Sequence, residues 1–197
     1  MKIYDISQQV FSCKVYPGDP KPEKVTISAI ESGGLYNLTA FSMCAHNGTH
    51  VDAPFHFLQD GKSVDQMELT HFVGECLVVR WDGAVTEEAA KAFLEKCGAV
   101  KRLLIAGKAT VTEEAATVFA RSGLLLLGNE SQTVGPEDGP MAVHLFLLGA
   151  GMALLEGIVL EGIPEGKYLL SAAPLNLAGA DGAPCRAVLM EPHAGQC

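Results

Sequence analysis

The 197 residues are 48% hydrophobic, carry a net charge of −9 and include six cysteines. That supplies one domain with a substantial core, so residues 1–197 are read as a single unit, and it falls short of what two full domains need. An acidic chain without a basic stripe excludes nucleic acid as a partner and favours a small molecule.

Residues 2–7 alternate as a first strand, with no apolar leader before them, and no stretch approaches 18 uninterrupted apolar residues. Neither secretion nor a membrane span is expected, and the chain is assigned to the cytoplasm. The cysteines, at 13, 44, 76, 97, 185 and 197, form no Cys-x-x-Cys pair. Reduced thiols therefore fit better than a disulfide framework, and neither Cys44 nor Cys185 is assigned as a ligand.

Residues 15–22 form a Pro/Gly-stiffened loop of the kind that lines sites. Residues 25–30 and 35–44 alternate as strands, the second running into a histidine-rich loop. Residues 75–81 are a strand, and 85–93 begin a helix with Thr86 as N-cap, acids in the first turn and Gly98 as its stop. Residues 111–119 nearly repeat that helix start. The apolar runs at 102–106 and 124–127 predict strands covered on both faces. After a Gly/Pro/acid loop at 131–140, residues 141–148 read as a helix ended by Gly149 and Gly151. That Gly-x-Gly lacks the third glycine and the context of a nucleotide-binding loop. Two further strands, 166–171 and 187–190, flank a Gly/Pro-rich loop whose Asn176, Asp181 and Arg186 suit loop caps or substrate contacts equally. His71 and His193 stand alone and are read as structural or surface histidines.

Residues 46–56 read H-N-G-T-H-V-D-A-P-F-H, which places His46, His50, Asp52 and His56 on even positions. A helix fails here, because Asp52 would project off the shared face and Pro54 would break it. A straight strand would separate His46 from His50 by about 13 Å, too far to share an ion bonded at about 2.0–2.2 Å. The chain must fold back, and Asn47-Gly48 permits that turn. His50 and Asp52, two apart on an extended piece, can then converge. Two imidazoles and a carboxylate crowded beside a Pro-fixed turn point to a shared cation. His144 and Glu156 would lie about 18 Å apart on one helix. Gly149 and Gly151 offer the break that would let Glu156 return. On the residues alone, a half-buried helical histidine and a surface glutamate is the simpler reading.

The H-x-x-x-H-x-D-x-P-x-H string resembles the signature of the cyclase family that contains bacterial kynurenine formamidase and isatin hydrolase. Residues 16–20 (Y-P-G-D-P), the His144 to Glu156 spacing and the block at 174–189 are similar to family blocks in the same order, so the resemblance spans about residues 3–189. It implies an α/β domain with a mixed, barrel-like sheet and outer helices, paired as homodimers or homotetramers. It implies His46, His50 and Asp52 as ligands of a first divalent metal, zinc or manganese, and His144 and Glu156 as the far side of a second, with Asp52 bridging. His56 matches the catalytic histidine. The implied reaction is hydrolysis of a small amide by hydroxide generated at the metal, with N-formylkynurenine, from tryptophan catabolism, as first candidate. Tyr16 stands where the formamidase branch carries tryptophan; it can still stack on an aryl ring, but the exchange leaves cyclic amides, imides and lactones open. A non-catalytic metal or small-ligand binding protein is the alternative of another class, against which His56 speaks, since a binding module needs no imidazole beyond its ligands.

Overall fold

The computed structural model describes residues 1–191. His193 and Cys197 lie outside them. β1 (Ile3–Asp5) is followed by a hairpin of β2 (Glu23–Ser28) and β3 (Leu38–Ser42), then by the short β4 (His50–Asp52). β5 (Val73–Arg80) and β6 (Gly83–Val85) precede α1 (Glu87–Cys97), and β7 (Arg102–Ala106) and β8 (Ala109–Val111) precede α2 (Glu113–Ala120). β9 (Leu126–Asn129) and α3 (Met141–Gly149) lead to β10 (Ala153–Glu156), β11 (Gly166–Ser171), β12 (Gly182–Pro184) and β13 (Val188–Met190).

The helix starts follow from local chemistry. The Thr86 and Thr112 hydroxyls accept the N–H groups of Ala89 and Ala115, and two glutamates occupy each first turn, where they meet the positive end of the helix dipole. The repeated segment has a tertiary consequence that periodicity did not reveal. The residues just before the two caps, β6 and β8, pair in parallel as a small separate sheet.

Nine strands form one mixed sheet in the order β1-β13-β11-β5-β7-β9-β10-β4-β12. β5, β7, β9 and β10 run parallel, and the flanking pairings are antiparallel. The sheet curls into a half-barrel, the mixed, barrel-like sheet with outer helices that the resemblance implies. Alternation sorts its side chains. Leu77, Val79, Leu103, Ile105, Leu127 and Leu154 face a core shared with Phe93, Phe119 and Leu147 of the helices. Cys76, Val78, Leu104, Leu126, Leu155 and Leu170 face a second core with Phe72, Met67 and Ile158. Both faces of the parallel strands are thus covered, which is why their sequence is nearly continuous in apolar residues.

β4 is the element that places the site. It is held between β10 and β12, with His50 opposite Glu156 and Pro184, and Asp52 opposite Leu154 and Gly182. Strands of three or four residues such as β4, β10 and β12 are too short to register as a periodic pattern. β2 and β3 form a two-stranded sheet of their own. Val25, Ile27, Leu38 and Phe41 on it are all exposed. No helix among the described residues is long and apolar enough to cross a membrane.

Candidate functional site

The fold-back expected between His46 and His50 occurs at Gly48, whose φ of 64° is left-handed backbone that glycine adopts without strain. It brings the two imidazole centroids to 5.1 Å. The break expected before Glu156 also occurs: α3 ends at Gly149 and the chain reverses through Gly151, at φ 76°. Glu156 returns on β10, with its Oε1 3.3 Å from His144 Nε2. Neither residue is the half-buried helix histidine or surface glutamate of the simpler reading, since they are 3% and 2% exposed.

Asp52 lies at the centre. Its Oδ1 is 2.8 Å from His46 Nδ1 and 3.4 Å from His50 Nε2, and its Oδ2 is 3.5 Å from His144 Nε2. His50 Nε2 is also 3.5 Å from Glu156 Oε2. Ring orientation is set from behind: His50 Nδ1–H donates to the Gly48 carbonyl at 3.0 Å, and His144 Nδ1–H donates to the Pro140 carbonyl at 2.9 Å. Each ring therefore turns Nε2 toward the carboxylates. Glu156 is held in turn by the Val134 N–H, 2.8 Å from its Oε1.

Burial opposes charge on these imidazoles. The carboxylates outweigh it, raising His50 to about 9, His144 to about 10 and, with Asp181 joining Asp52, His46 to about 11. Asp52 is held well below the usual carboxylate range by the three histidines, despite complete burial.

The donor set fits a cation. Asp52 Oδ2 is buried without a hydrogen-bond partner. Nitrogen–oxygen separations of 3.3–3.5 Å between His50 or His144 and the carboxylates of Asp52 and Glu156 are long for charge-assisted hydrogen bonds at about 2.7–2.9 Å, the distance that only His46 keeps to Asp52. They are what two ligands bonded to one tetrahedral ion at about 2.0–2.2 Å would show. Two donor groups form, His46–Asp52–His56 and His50–Asp52–Glu156, and Asp52 belongs to both. Neither Cys44 nor Cys185 belongs to either group. The Cys44 thiol contacts Asp19 at 3.7 Å, and burial pushes the Cys185 thiol up to about 12.

His56 sits on the turn Pro54–His56. Its ring lies over that of His46 at 4.1 Å, and its Nδ1 faces Asp181 Oδ2 at 3.1 Å. The same oxygen is 2.8 Å from His46 Nε2. Asp181 is thus drawn into the site from the loop whose role the sequence left open, and only the β12–β4 pairing brings it there. Asn176 and Arg186 are exposed, and Arg186 pairs with Asp5 at 2.9 Å instead of entering the site.

The cluster opens into a cavity of about 260 Å³ lined by Tyr16, Asp19, His56, Phe57, Thr133 and Pro140 among others. Tyr16 is held at its rim by donating its hydroxyl to the Glu137 carbonyl at 2.9 Å. Of the two phenylalanines flanking His56, Phe57 forms a wall, 4.8 Å from the His144 ring. Phe55 is neither wall nor core, being 41% exposed. A larger groove of about 820 Å³ runs between residues 5–11 and 171–186 and contains no histidine. The chemistry therefore belongs to the smaller cavity.

Known proteins resemble this chain in sequence and in fold. The family model described as "Putative cyclase" matches residues 4–136. A protein named "Kynurenine formamidase" from Erythrobacter litoralis (strain HTCC2594) is 34% identical over 209 residues, covering 98% of this chain and 96% of that one. "The Structure Of Potential Metal-Dependent Hydrolase With Cyclase Activity" is 26% identical, with a TM-score of 0.81 over 97% of this chain and 99% of the other. Isatin hydrolase A from Labrenzia aggregata shares the fold at a TM-score of 0.83 and 24% identity, over 96% of this chain and 93% of the other. The chain belongs to the cyclase family and is a metal-dependent amidohydrolase.

Proposed function

We propose that the protein hydrolyses a small aryl formamide, with N-formylkynurenine the first candidate, at two divalent ions held by His46, His50, Asp52, His144 and Glu156. The supporting observation is that two donor groups, His46–Asp52–His56 and His50–Asp52–Glu156, share the buried Asp52 beside a cavity that His144 also lines. Zinc and manganese both suit nitrogen and oxygen ligands of this kind. When bound, such an ion makes water acidic enough to supply a nucleophile near neutral pH and polarises the scissile carbonyl.

The chain's own residues supply the rest. His56 takes the proton of the attacking water on Nε2 and returns it to the departing nitrogen, since its Nδ1 is engaged by Asp181. Tyr16 and Phe57 bound the cavity and offer ring faces for an aryl group. The Glu137 carbonyl keeps the Tyr16 ring at the rim. A reducing cytoplasmic setting agrees with Cys13, Cys44, Cys76, Cys97 and Cys185, all free thiols.

If Tyr16 stacks on the substrate, Tyr16→Ala is expected to cost about 0.5–1.5 kcal/mol of binding, read chiefly in KM, with Tyr16→Phe costing less. The assay compares N-formylkynurenine, isatin, simple cyclic imides and lactones on metal-loaded enzyme. Preference for a non-aromatic ring, with Tyr16→Ala unaffected, would remove formamidase from this reading and leave metal-dependent hydrolysis standing.

A homodimer is part of the same proposal. A two-stranded hairpin is marginal by itself in water, and β2–β3 exposes Val25, Ile27, Leu38 and Phe41. These uncharged side chains, of which Phe41 stands opposite Lys24 and Val25 opposite Ala40, are where two acidic chains would meet with least repulsion. Light scattering should give twice the chain mass, and an Ile27→Asp variant should shift it to the monomer. A monomeric wild type at micromolar concentration would refute this.

A further inference from the structure

We propose that Asp181 is the positioning residue of the site, with its one oxygen Oδ2 orienting both the metal ligand His46 and the proton-transfer residue His56. The inference rests on the role given to His56 above. Oδ2 lies 2.8 Å from His46 Nε2 and 3.1 Å from His56 Nδ1. The two rings are stacked at 4.1 Å and tilted by 30°. A carboxylate oxygen has two lone pairs, so it accepts an N–H from each ring at once.

That contact has separate consequences for the two histidines. With Nε2–H given to Asp181, His46 would keep Nδ1, which faces Asp52, to hold an ion, and the carboxylate behind it would fix the ligand's tautomer and raise its basicity. With Nδ1–H given to Asp181, His56 keeps its basic lone pair on Nε2, the nitrogen that must receive a proton. An unanchored imidazole would divide between tautomers and rotate.

The backbone places Asp181 with little freedom. Its carbonyl accepts the Ala53 N–H at 2.9 Å, and the next residue, Gly182, pairs with Asp52 on β4. A Cβ on Gly182 would stand 2.6 Å from the Val51 carbonyl oxygen and 2.7 Å from His46 Cε1. Only glycine lets β12 lie close enough to carry Asp181 up to the two rings.

The test uses metal-loaded protein and an Asp181→Asn variant, which preserves shape and the backbone contact. At saturating metal, kcat is expected to fall about 10–100-fold with KM unchanged. In a His56→Ala background the same substitution should lower kcat no further, because residues acting as a unit are not additive. Metal affinity, read by chelator competition, should weaken about 10–100-fold in both backgrounds through His46. Nitrogen NMR of zinc-loaded wild type should show neutral His56 protonated on Nδ1, and Asp181→Asn should lose that single tautomer. A His56 protonated on Nε2, or kcat losses that simply add, would overturn the proposal. If no substrate is turned over while the tautomer and affinity results hold, the hydrolase reading fails and the positioning role stands.

Discussion

Asp52→Ala is expected to leave metal-replete protein with neither of the two proposed ions and with no measurable turnover. Both donor groups contain Asp52, and its two oxygens face three different imidazoles at 2.8–3.5 Å. The five proposed ligands exceed what one tetrahedral ion takes, and a bridging carboxylate is the economical way to divide them. Elemental analysis should find close to two ions per wild-type chain. One ion or none in the wild type would sink the two-metal version, and an ion retained by Asp52→Ala would show that Asp52 is no bridge. Unfolding separates metal loss from misfolding. An ion that binds only the native chain stabilises it by about 4 kcal/mol at a thousandfold excess over Kd. The wild type should therefore gain stability on metal addition, while a folded Asp52→Ala should not respond.

His56→Ala is expected to keep the fold and the metal and to lose turnover by about 10²–10⁴-fold, the effect of removing a general acid–base group. The ring packs on His46 and Phe57 but lines the open cavity, so its removal enlarges that cavity instead of leaving a void in the core. The result also separates two readings of one geometry. A nitrogen of His56 lies within 4.8 Å of donor atoms of His46 and Asp52, so the ring is close enough to be a ligand. Unchanged metal content with a lowered rate assigns it to proton transfer. Metal lost in proportion to rate would make it a ligand and leave the site without the proton shuttle proposed here.

The features that the sequence by itself determined are those fixed within a few residues of chain. Thr86 and Thr112 cap helices because a hydroxyl three residues from an unpaired N–H reaches it without help from elsewhere. Gly48 and Gly151 reverse the chain for an equally local reason. The convergence of His46, His50 and Asp52 was legible for that cause, and likeness to family blocks added His144, Glu156 and His56. Tertiary structure decided what depends on strand order. The β4 strand lies between β10, about a hundred residues onward, and β12, and no three-residue strand carries a pattern naming its neighbours. That placement sets Glu156 opposite His50 and lays Asp181 against His46 and His56. It also leaves Arg186, in the same loop, on Asp5 outside the site. Alternation in β2 and β3 announced strands, but not that their hairpin would stand off the main sheet with its apolar side chains exposed. Hydrogen bonds across a sheet join residues that the chain itself keeps far apart, so their partners exist only once the sheet has formed.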